Sequence, residues 1–583
     1  MEGPPARSLV LTSPVPLPGG ISTAHLAPLV AADVLLRRAR TTGGALRWRA
    51  SALFGGPAAQ RAAEDELVHE GLDKAVIGRE AFAARLDACR DRAQADLAAA
   101  ASALALGLDA GNAVRAGEAA AEAARTAFVR LFDAGVVRRG DRVVGACPVC
   151  RSTVGPPGTV PAQLDADVLT VRVELADDGA GEAHLDAPCL AAELLPGTVA
   201  VAVPEGHPAA GRFADVPLAP SMVPVVEDSG VARPTFVMPA HDQPAFELAR
   251  RQGLPSVPVL DPDGFVRSAG PLEGLARYAA RSSARQLLEA ERVVVTAAPG
   301  VEEVERCAAC RSVLVPLLGT HWLLSAIDLE TAAADAIRDG RLAVWPAAAR
   351  EDLLAGAGTA DEWCLSRQLW AGVPVPVGRC LDCGHVDVSV DPTPSCGSCM
   401  GDLVPETDVL DARFVRCLVP LSVTGWPEAG RGDAESTAGP VLFLMRGGAG
   451  GDDVLAMVGL GLRLDGAVPF DEVAVLPWTH SVDEVDPSAP VDVQALVARE
   501  GTPTVRLALL GGALDVRAAR ELVARLDQAG PARTDVVVEA AMDAAFAAAA
   551  PAAALDVLAA ASEGAGALGT ATVQELTGPF VGR

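Results

Sequence analysis

The order of apolar and polar residues predicts how the chain begins. Val10-Leu-Thr-Ser-Pro-Val15 is apolar and β-branched, as is typical of a short buried strand. A Pro/Gly turn follows at 16–20, and a helical pattern then runs from about Ala24 to Arg40. A strand, a glycine turn and a helix often open a nucleotide-binding α/β core, although the pattern alone is a weak signal.

The pattern changes along the chain. Residues 60–138 are rich in Ala, Glu, Arg and Leu and are predicted to be mostly helical. From about 150 to 300, short β-type runs such as Thr198-Val-Ala-Val-Ala-Val203 alternate with Pro and Gly, which predicts an inserted β-rich domain. Helical and mixed segments return after Leu318, and from about 510 the chain is predicted to be Ala-rich helix.

Two Cys-x-x-Cys pairs predict a metal site. Cys380-x-x-Cys383 and Cys396-x-x-Cys399 are separated by twelve residues. Each pair can present two thiolates on one tight turn, and four thiolates complete a closed tetrahedral zinc site. The alternative is a degenerate knuckle that contains ordinary buried or free thiols.

Four further cysteines form a second possible metal-binding set. Cys147-x-x-Cys150 and Cys307-x-x-Cys310 flank the whole predicted β-rich insertion, so their spacing alone is weak evidence. The remaining cysteines lack partners at useful spacing and are expected to be small buried hydrophobes: Cys89, Cys189, Cys364 and Cys417.

Charge limits the partners of this chain. The net charge is −27, and Lys74 is the only lysine among 583 residues. Proteins that bind polyanions gain affinity by neutralising phosphates with Lys and Arg, so a broad nucleic-acid interface is disfavoured, although a local Arg patch remains possible. The start Met1-Glu-Gly-Pro-Pro5 has no secretory pattern, and Pro551 and Asp556 interrupt the Ala-rich stretch near the end. Because paired cysteines suit metal binding in a reducing compartment, we expect a cytoplasmic protein. We expect no membrane association, because the Ala-rich stretch is interrupted.

Several short motifs occur in one collinear order from the N-terminus to roughly Leu510. They are Gly78-Arg-Glu-Ala-Phe82, Pro239-Ala-His-Asp242, Val315-Pro-Leu-Leu318, Asp361 to Trp370, Asp408-Val-Leu-Asp411, Gly425-Trp-Pro427 and Arg506-Leu-Ala-Leu-Leu510. Together with the Cys-x-x-Cys pairs, this series resembles the class I aminoacyl-tRNA synthetases, specifically the valyl type.

The resemblance implies an α/β fold with a class I synthetase Rossmann-type core. It also implies an inserted β-rich editing-like domain, zinc knuckles and a short C-terminal helical region. The implied divisions are 1–150 for the first half of the core, 151–305 for the insertion, 306–505 for the second half with a knuckle at 378–402, and 506–583 for a remnant of the anticodon-binding domain.

The same resemblance strengthens the second metal site. The valyl and isoleucyl enzymes have a comparable Cys-x-x-Cys on each side of their inserted domain. This implies a second zinc held by Cys147, Cys150, Cys307 and Cys310. Its role would be structural, because four thiolates leave no ligand position for water.

The residues that carry the family's chemistry differ in this chain. The His-Ile-Gly-His motif of the ATP site corresponds to Ser22-Thr-Ala-His25, which retains only the second His. His25 could contact a nucleotide or could be a solvent-facing residue at a helix start. The Asp that meets the substrate ammonium corresponds to Leu53 within Ser51–Gly56. Since a buried ammonium beside Leu has no partner, valine binding in the usual pose is disfavoured.

The ATP-activating lysine loop is also replaced. The Lys-Met-Ser-Lys-Ser motif corresponds to Val482-Asp-Glu-Val-Asp486, and positions 464–498 hold seven acidic residues with no Lys or Arg. Losing a single preorganised donor commonly costs about 10²–10³ in rate. Two absent lysines and three added acids therefore predict that adenylate formation is lost.

The editing motifs and the C-terminus diverge as well. The Thr-rich editing peptide corresponds to Cys189–Leu194, and Ala245 occupies the position of the Asp that holds the substrate amino group. Asp242 could simply cap the following helix. After Leu510 about 70 residues remain, so we expect a truncated anticodon-binding region.

These features predict a non-catalytic pseudo-synthetase that acts in binding or regulation, with no catalytic residues. Its partner would be an unknown protein or a small ligand in the cleft, and ATP and tRNA binding are both disfavoured. One alternative is a divergent but active valine–tRNA ligase. The other is a repurposed adenylate-forming enzyme, for which Arg446 beside the Gly-rich 447–451 could supply a cation.

Overall fold

The computed structural model describes most of the chain to Leu510. The described residues are 7–14, 20–41, 46–53, 56–107, 112–156, 158–176, 183–267, 270–345, 347–358, 362–391, 394–423, 425–428, 441–446, 451–476 and 490–510. The expectations for Val482–Asp486, for the Gly-rich 447–450 and for the C-terminal helical region after Leu510 fall outside the described residues.

The helices are, in chain order, α1 (Thr23–Thr41), α2 (Gly56–His69), α3 (Lys74–Ala103), α4 (Asn112–Asp133), α5 (Gln243–Gln252), α6 (Arg277–Ala290), α7 (Ile327–Arg338), α8 (Ala347–Gly356), α9 (Ala412–Cys417), α10 (Val419–Ser422), α11 (Gly451–Asp465), α12 (Val493–Glu500) and α13 (Thr502–Leu510). Short 3-10 helices lie at Ala192–Gly197 and Gly270–Leu272. None of the described helices is long and apolar enough to cross a membrane.

The strands are β1 (Arg7–Pro14), β2 (Leu46–Leu53), β3 (Val137–Cys147), β4 (Ser152–Thr153), β5 (Thr159–Leu175), β6 (His184–Cys189), β7 (Ala200–Val203), β8 (Phe213–Asp215), β9 (Val223–Glu227), β10 (Thr235–Val237), β11 (Val294–Cys307), β12 (Val315–Ser325), β13 (Ala343–Trp345), β14 (Glu362–Cys364), β15 (Ser366–Arg367), β16 (Val377–Cys380), β17 (Val386–Val388), β18 (Leu403–Pro405), β19 (Val409–Leu410), β20 (Val441–Arg446) and β21 (Glu472–Leu476).

The chain divides into two compact units. One contains residues 1–137, 324–363 and 370–583, and the other contains residues 138–323 and 364–369. The first unit is therefore assembled from segments that precede and follow the second unit in the sequence.

The first unit is built on a parallel sheet of five strands in the order β13-β21-β20-β1-β2. Every neighbouring pair in this sheet runs parallel. The strand and helix predicted at Val10–Val15 and Ala24–Arg40 correspond to β1 and α1. The chain leaves β1 toward β2 on one side and β20 toward β21 on the other. The carboxyl ends of β1 and β20 therefore form the topological switch point at which open α/β sheets bind ligands.

Apolar packing fixes the helices that follow the first strand. Leu26 and Val30 of α1 pack with Leu104, Val505 and Leu509 in one buried cluster. The helical pattern predicted for 60–138 corresponds to α2, α3 and α4. At Gly78, the first residue of the Gly-Arg-Glu-Ala-Phe motif, α3 is broken by a φ of +82°, a conformation that glycine adopts at little cost.

The second unit is rich in β-structure, as its Pro- and Gly-punctuated sequence predicts. It contains a sheet in the order β10-β7-β9-β8-β5-β11, and β6 also pairs with β5. The long strands β5 and β11 form an antiparallel ribbon from Cys307 opposite Thr159 to Val294 opposite Val171. The inward face of the sheet packs on α6 through Ala280, Ala284 and Leu288, which are fully buried.

Candidate metal centres and the cleft of the parallel sheet

Cys380, Cys383, Cys396 and Cys399 converge in the first unit. The Sγ atoms of Cys380 and Cys399 are 3.4 Å apart, and those of Cys383 and Cys396 are 3.6 Å apart. All four sulfurs lie within 4.8 Å of one another, and none is in a disulfide. The pairing of β16 with β18 brings the two loops together, because Cys380 lies opposite Leu403.

The second set converges in the same way inside the second unit. Cys147 and Cys310 have sulfurs 3.3 Å apart, and the sulfurs of Cys150 and Cys307 are 3.8 Å apart. Three of these cysteines are buried and Cys310 is half-buried. The spacing of this set was weak evidence by itself, but the ends of β3 and β11 bring its two pairs together.

All four Cys-x-x-Cys loops have one backbone design. The residue after the second cysteine has a positive φ in each: Arg151 (+52°), Arg311 (+63°), Gly384 (+73°) and Met400 (+63°). Its N–H donates to the carbonyl oxygen of the first cysteine at 2.8 to 3.1 Å. This turn directs both thiols of a loop to the same side. Only one of these four positions holds glycine, the residue that adopts this conformation most readily.

The donor sets fit zinc. Tetrahedral ligation with Zn–S bonds of about 2.3 Å requires sulfurs about 3.8 Å apart, close to the observed separations. Without a cation the thiols cannot ionise together: hydrogen bonds from Cys147 and Cys150 lower the pKa of Cys307 to about 2, and the hydrogen bond to Cys147 raises the pKa of Cys150. A divalent cation would relieve this repulsion. A zinc ion with four thiolate ligands would be closed to water, so its role there would be structural.

The remaining cysteines lie apart from these sets. Cys89, Cys189 and Cys417 are buried, as expected for small hydrophobes. Burial raises the pKa of Cys189 to about 12, which keeps this thiol protonated. Cys364 differs, because it is half-exposed and its sulfur lies 3.6 Å from the carbonyl oxygen of Ser366.

His25 lies at the start of α1, beside the switch point of the parallel sheet. Its Nδ1 accepts a hydrogen bond from the N–H of Ser22 at 3.2 Å and lies 2.8 Å from the Ser22 hydroxyl oxygen. The bond from the Ser22 N–H is one half of a capping box, with the His25 side chain in the place usually held by Glu or Gln. The observed contacts of this half-buried imidazole therefore stabilise the helix start, and a role with nucleotide remains a prediction.

Three of the motif segments meet within the first unit. Trp363 donates from its indole nitrogen to Asp411 at 2.9 Å, and the same carboxylate caps α9 through the N–H of Arg413. Gly56 lies against Ala412, since a Cβ built on this glycine would be 3.6 Å from that of Ala412. The segment that resembles the amino-acid site thus adjoins the Asp408–Asp411 motif. Leu53 ends β2 at the carboxyl edge of the parallel sheet.

Trp370, the last residue of the Asp361–Trp370 motif, contacts α2 and α3 in the first unit. Its backbone N–H donates to Gln60 at 2.7 Å, and its ring packs edge-to-face on Phe82 with centroids 5.8 Å apart. Lys74 and Arg79 lie over the same ring, 5.4 and 5.6 Å from its centre. The sequence pointed to these segments but not to Gln60, whose signal is a single polar residue on the buried face of α2.

The described residues on either side of the acidic segment are Leu476 and Pro490. Residues 477–489 follow Leu476, the last residue of β21, at the carboxyl edge of the sheet. The chain returns at Pro490, which forms a β-bridge with Ser22, and the N–H of Val491 donates to the carbonyl oxygen of Ile21 at 2.7 Å. Leu476 therefore lies at the edge of the sheet, and Pro490 lies beside the start of α1.

In the second unit, His241 is held by backbone groups. Its Nδ1 donates to the carbonyl oxygen of Pro316 at 2.8 Å, and its Nε2 accepts from the N–H of Val259 at 2.8 Å. Burial lowers the pKa of His241, so the imidazole is neutral near pH 7. Asp242 caps α5 by accepting from the N–H of Ala245 at 2.9 Å, which confirms the capping interpretation.

A buried ionic cluster lies close to these residues and was not predicted from the sequence. Arg277 and Arg281 on α6 each bond to both Glu193 and Glu302, at 2.5 to 3.1 Å. The side chain of Glu193 is fully buried, and its charge acts on both His241 and Cys189. Burial lowers the pKa of Arg281, but its hydrogen bonds to the two glutamates outweigh this and raise it. The cluster is therefore charged and internally balanced.

Comparison with known proteins identifies the family. The family described as tRNA synthetases class I (I, L, M and V) matches residues 6–484. The chain belongs to this family. It is 29% identical over 499 residues to the valine–tRNA ligase of Streptomyces coelicolor, covering 80% of the chain and 54% of that protein. It is 28% identical over 563 residues to the valine–tRNA ligase of Geobacter sulfurreducens, covering 90% and 61%.

The class I synthetase assignment accounts for the parallel sheet, the β-rich unit and the two four-cysteine groups, and it confirms the valyl-type resemblance. This chain spans little more than half the length of the valine–tRNA ligases that it matches. Among solved structures, Agrobacterium radiobacter K84 agnB2 LeuRS, in a ternary complex with tRNA and LeuAMS, has a TM-score of 0.47 and 14% identity, covering 99% of this chain and 83% of that one.

Proposed function

We propose that this class I synthetase-family protein is a non-catalytic pseudo-synthetase that acts in binding or regulation. One observation carries the proposal: Pro490, which follows the acidic segment in the sequence, forms a β-bridge with Ser22 before the start of α1. Asp483, Glu484 and Asp486 come just before this bridge in the sequence. Active members of the family neutralise phosphate charge here, and three carboxylates repel it.

Two substitutions support the same conclusion. Leu53 stands at the carboxyl edge of the sheet, where the valyl-type motif has the Asp that holds the substrate ammonium. Ala245 stands where the editing motif has a second ammonium-binding Asp, and it is buried in the first turn of α5. A site that leaves an ammonium without a partner loses several kcal/mol, to order of magnitude. Valine activation and editing therefore both lack the carboxylate that would pair with the substrate ammonium.

The two four-cysteine groups are proposed to hold structural zinc. In this proposal Cys147, Cys150, Cys307 and Cys310 hold one ion, and a second ion is held by the set at Cys380–Cys399. We also propose that residues 151–305 are the editing-like insertion between core segments 1–150 and 306–505, with residues 506–583 as a remnant of the anticodon-binding region. The zinc sites preserve the scaffold although the phosphate and ammonium contacts have been lost.

The test combines ATP–pyrophosphate exchange with all twenty amino acids and ATP-binding calorimetry on zinc-loaded protein. We expect no exchange and no ATP binding, with the valine–tRNA ligase of Streptomyces coelicolor as the positive control. Exchange with valine would overturn the proposal in favour of an active ligase. ATP binding without exchange would favour a repurposed adenylate-forming enzyme.

A charge-reversal pair tests the role of the acidic segment. The Asp483→Lys/Asp486→Lys variant should gain measurable ATP affinity, because it restores two cations in the segment that corresponds to the family's lysine loop. The matched control is Asp87→Lys/Asp91→Lys, which makes the same change in net charge on the exposed side of α3. An equal gain in both variants would mean that global charge, not the local field, excludes ATP.

A further inference from the structure

The zinc-knuckle loops of the first unit expose apolar side chains. Leu381 is 75% exposed, Met400 is 77% exposed and Val404 is 43% exposed. We call these three side chains the knuckle face. Single exposed apolar residues are common on protein surfaces, but a group of them on one small element marks an interaction surface.

The three residues are held close together by the fold. Leu381 follows Cys380 and Met400 follows Cys399, and the sulfurs of these two cysteines are 3.4 Å apart. Val404 lies on β18. This strand pairs with β16, which ends at Cys380. The zinc proposed above would make this arrangement rigid, which lowers the entropy cost of binding a partner.

The turn that ends at Met400 places an apolar side chain on the surface. Met400 has a φ of +63°, and Gly384, at the same position of the sister loop, has a φ of +73°. Left-handed backbone costs a residue with a Cβ roughly 1–2 kcal/mol, whereas glycine avoids this cost. Arg151 and Arg311 hold the same position of the other two loops, also with a positive φ, so this conformation belongs to the turn itself. What distinguishes Met400 is its exposed apolar side chain.

The charge around the knuckle face selects the partner. Asp382 and Asp402 are exposed beside it, and Asp382 lies against Gly401. Cys383 and Cys399 are also exposed, and four thiolates around one Zn²⁺ carry a formal charge of −2. Arg379, opposite Val404, is a basic residue nearby. This field repels polyanions and attracts cationic groups.

We propose that the knuckle face is the docking surface for a protein segment that presents an apolar side chain flanked by Arg or Lys. The apolar group would cover Leu381 and Met400, and the cations would meet Asp382, Asp402 and the metal thiolates. The proposal deepens the binding role proposed above but uses a surface that ATP exchange does not report on. Failure of one therefore leaves the other intact.

The experiment selects ligands without assuming their sequence. A phage library of random dodecapeptides is panned against the zinc-loaded full chain, with the Leu381→Ser/Met400→Ser variant used to remove clones that bind elsewhere. We expect the surviving clones to share an apolar residue flanked by basic residues. A synthetic peptide from the best clone should lose at least tenfold in affinity with this variant and with Asp382→Lys/Asp402→Lys, and should bind more weakly as salt rises.

Val76→Ser provides the matched control, because Val76 is 76% exposed and lies on α3. This variant should bind the peptide as the unsubstituted chain does, and every variant should retain two zinc ions per chain. A selection that yields no discriminating clones, or clones without basic residues, overturns the proposal. Loss of a dimer in the Leu381→Ser/Met400→Ser variant by sedimentation would also overturn it, since the occupant would then be a second copy of this chain.

Discussion

The buried Asp33 on α1 forms an ion pair with the half-buried Arg506 on α13, with a carboxylate oxygen 2.5 Å from the guanidinium. Asp33 also accepts from the N–H of Gly107 at 2.8 Å, and Arg506 donates to the carbonyl oxygen of Leu104 at 3.1 Å. Residues that are 473 positions apart are thereby joined at one point. The pair connects the helix after β1 to the last described helix.

Asp33→Ala should lower the free energy of unfolding by about 1–3 kcal/mol, because it removes the buried carboxylate that pairs with the half-buried guanidinium of Arg506. The measurement is urea unfolding followed by circular dichroism. Arg61→Ala serves as the control, since Arg61 pairs with Asp65 on the exposed side of α2, and it should cost at most about 0.5 kcal/mol. A cost below about 1 kcal/mol for Asp33→Ala would mean that the pair is not a structural link.

Replacing one ligand at a time should remove one zinc at a time. The unsubstituted chain is expected to contain two zinc ions, and Cys150→Ser and Cys396→Ser are each expected to contain one, by elemental analysis of purified protein. Cys189→Ala should retain both, because Cys189 is a buried thiol outside both sets. Retention of both ions in Cys150→Ser would contradict the second site.

Met400→Gly and Gly384→Ala should change the stability of the knuckle in opposite directions. Removing the Cβ at a φ of +63° relieves strain, so Met400→Gly should stabilise the folded state by roughly 0.5 kcal/mol after the extra freedom of the unfolded chain is counted. Adding a Cβ at Gly384 should destabilise it by about 1 kcal/mol. Competition with a zinc chelator measures both effects, and equal retention in the two variants would show that backbone strain does not matter there.

His241 should make the stability of the second unit sensitive to acid. Burial lowers its pKa, with Arg277 acting in the same direction and Glu193 against it. Below about pH 6.5 the unfolded chain binds a proton that the folded chain does not, so the free energy of unfolding should fall by up to about 1.4 kcal/mol per pH unit. The loss continues until the folded pKa is reached. His241→Gln should remove this component, whereas His184→Gln, on an exposed position of β6, should retain it.

Local sequence signals predicted much of the fold. The limits of α1, Thr23–Thr41, agree within one residue with the helical pattern predicted from Ala24 to Arg40. The Cys-x-x-Cys loops were predictable because each loop is a local turn. Pairing Cys147 with Cys310 depended on the family resemblance, since the sequence does not encode how the chain returns after 163 positions.

Long-range ionic contacts could not be predicted from the sequence. Glu193 and Arg281 are 88 positions apart and read as ordinary surface charges, yet Glu193 is fully buried between two arginines. The ion pair between Asp33 and Arg506 could not be predicted either, because these residues are 473 positions apart. Burial of a charge depends on which partners the tertiary fold supplies, and a single sequence contains no signal of that choice.

The Cys147–Cys310 clasp has a consequence for how this chain can evolve. Because its two ends are held by sulfurs only 3.3 Å apart, the polypeptide between them begins and finishes at one place. The segment between these cysteines can gain or lose residues, or be exchanged for a segment of another protein, while its first and last residues stay in the same place. The interior of this segment can therefore change in sequence without any change in the strands that attach it.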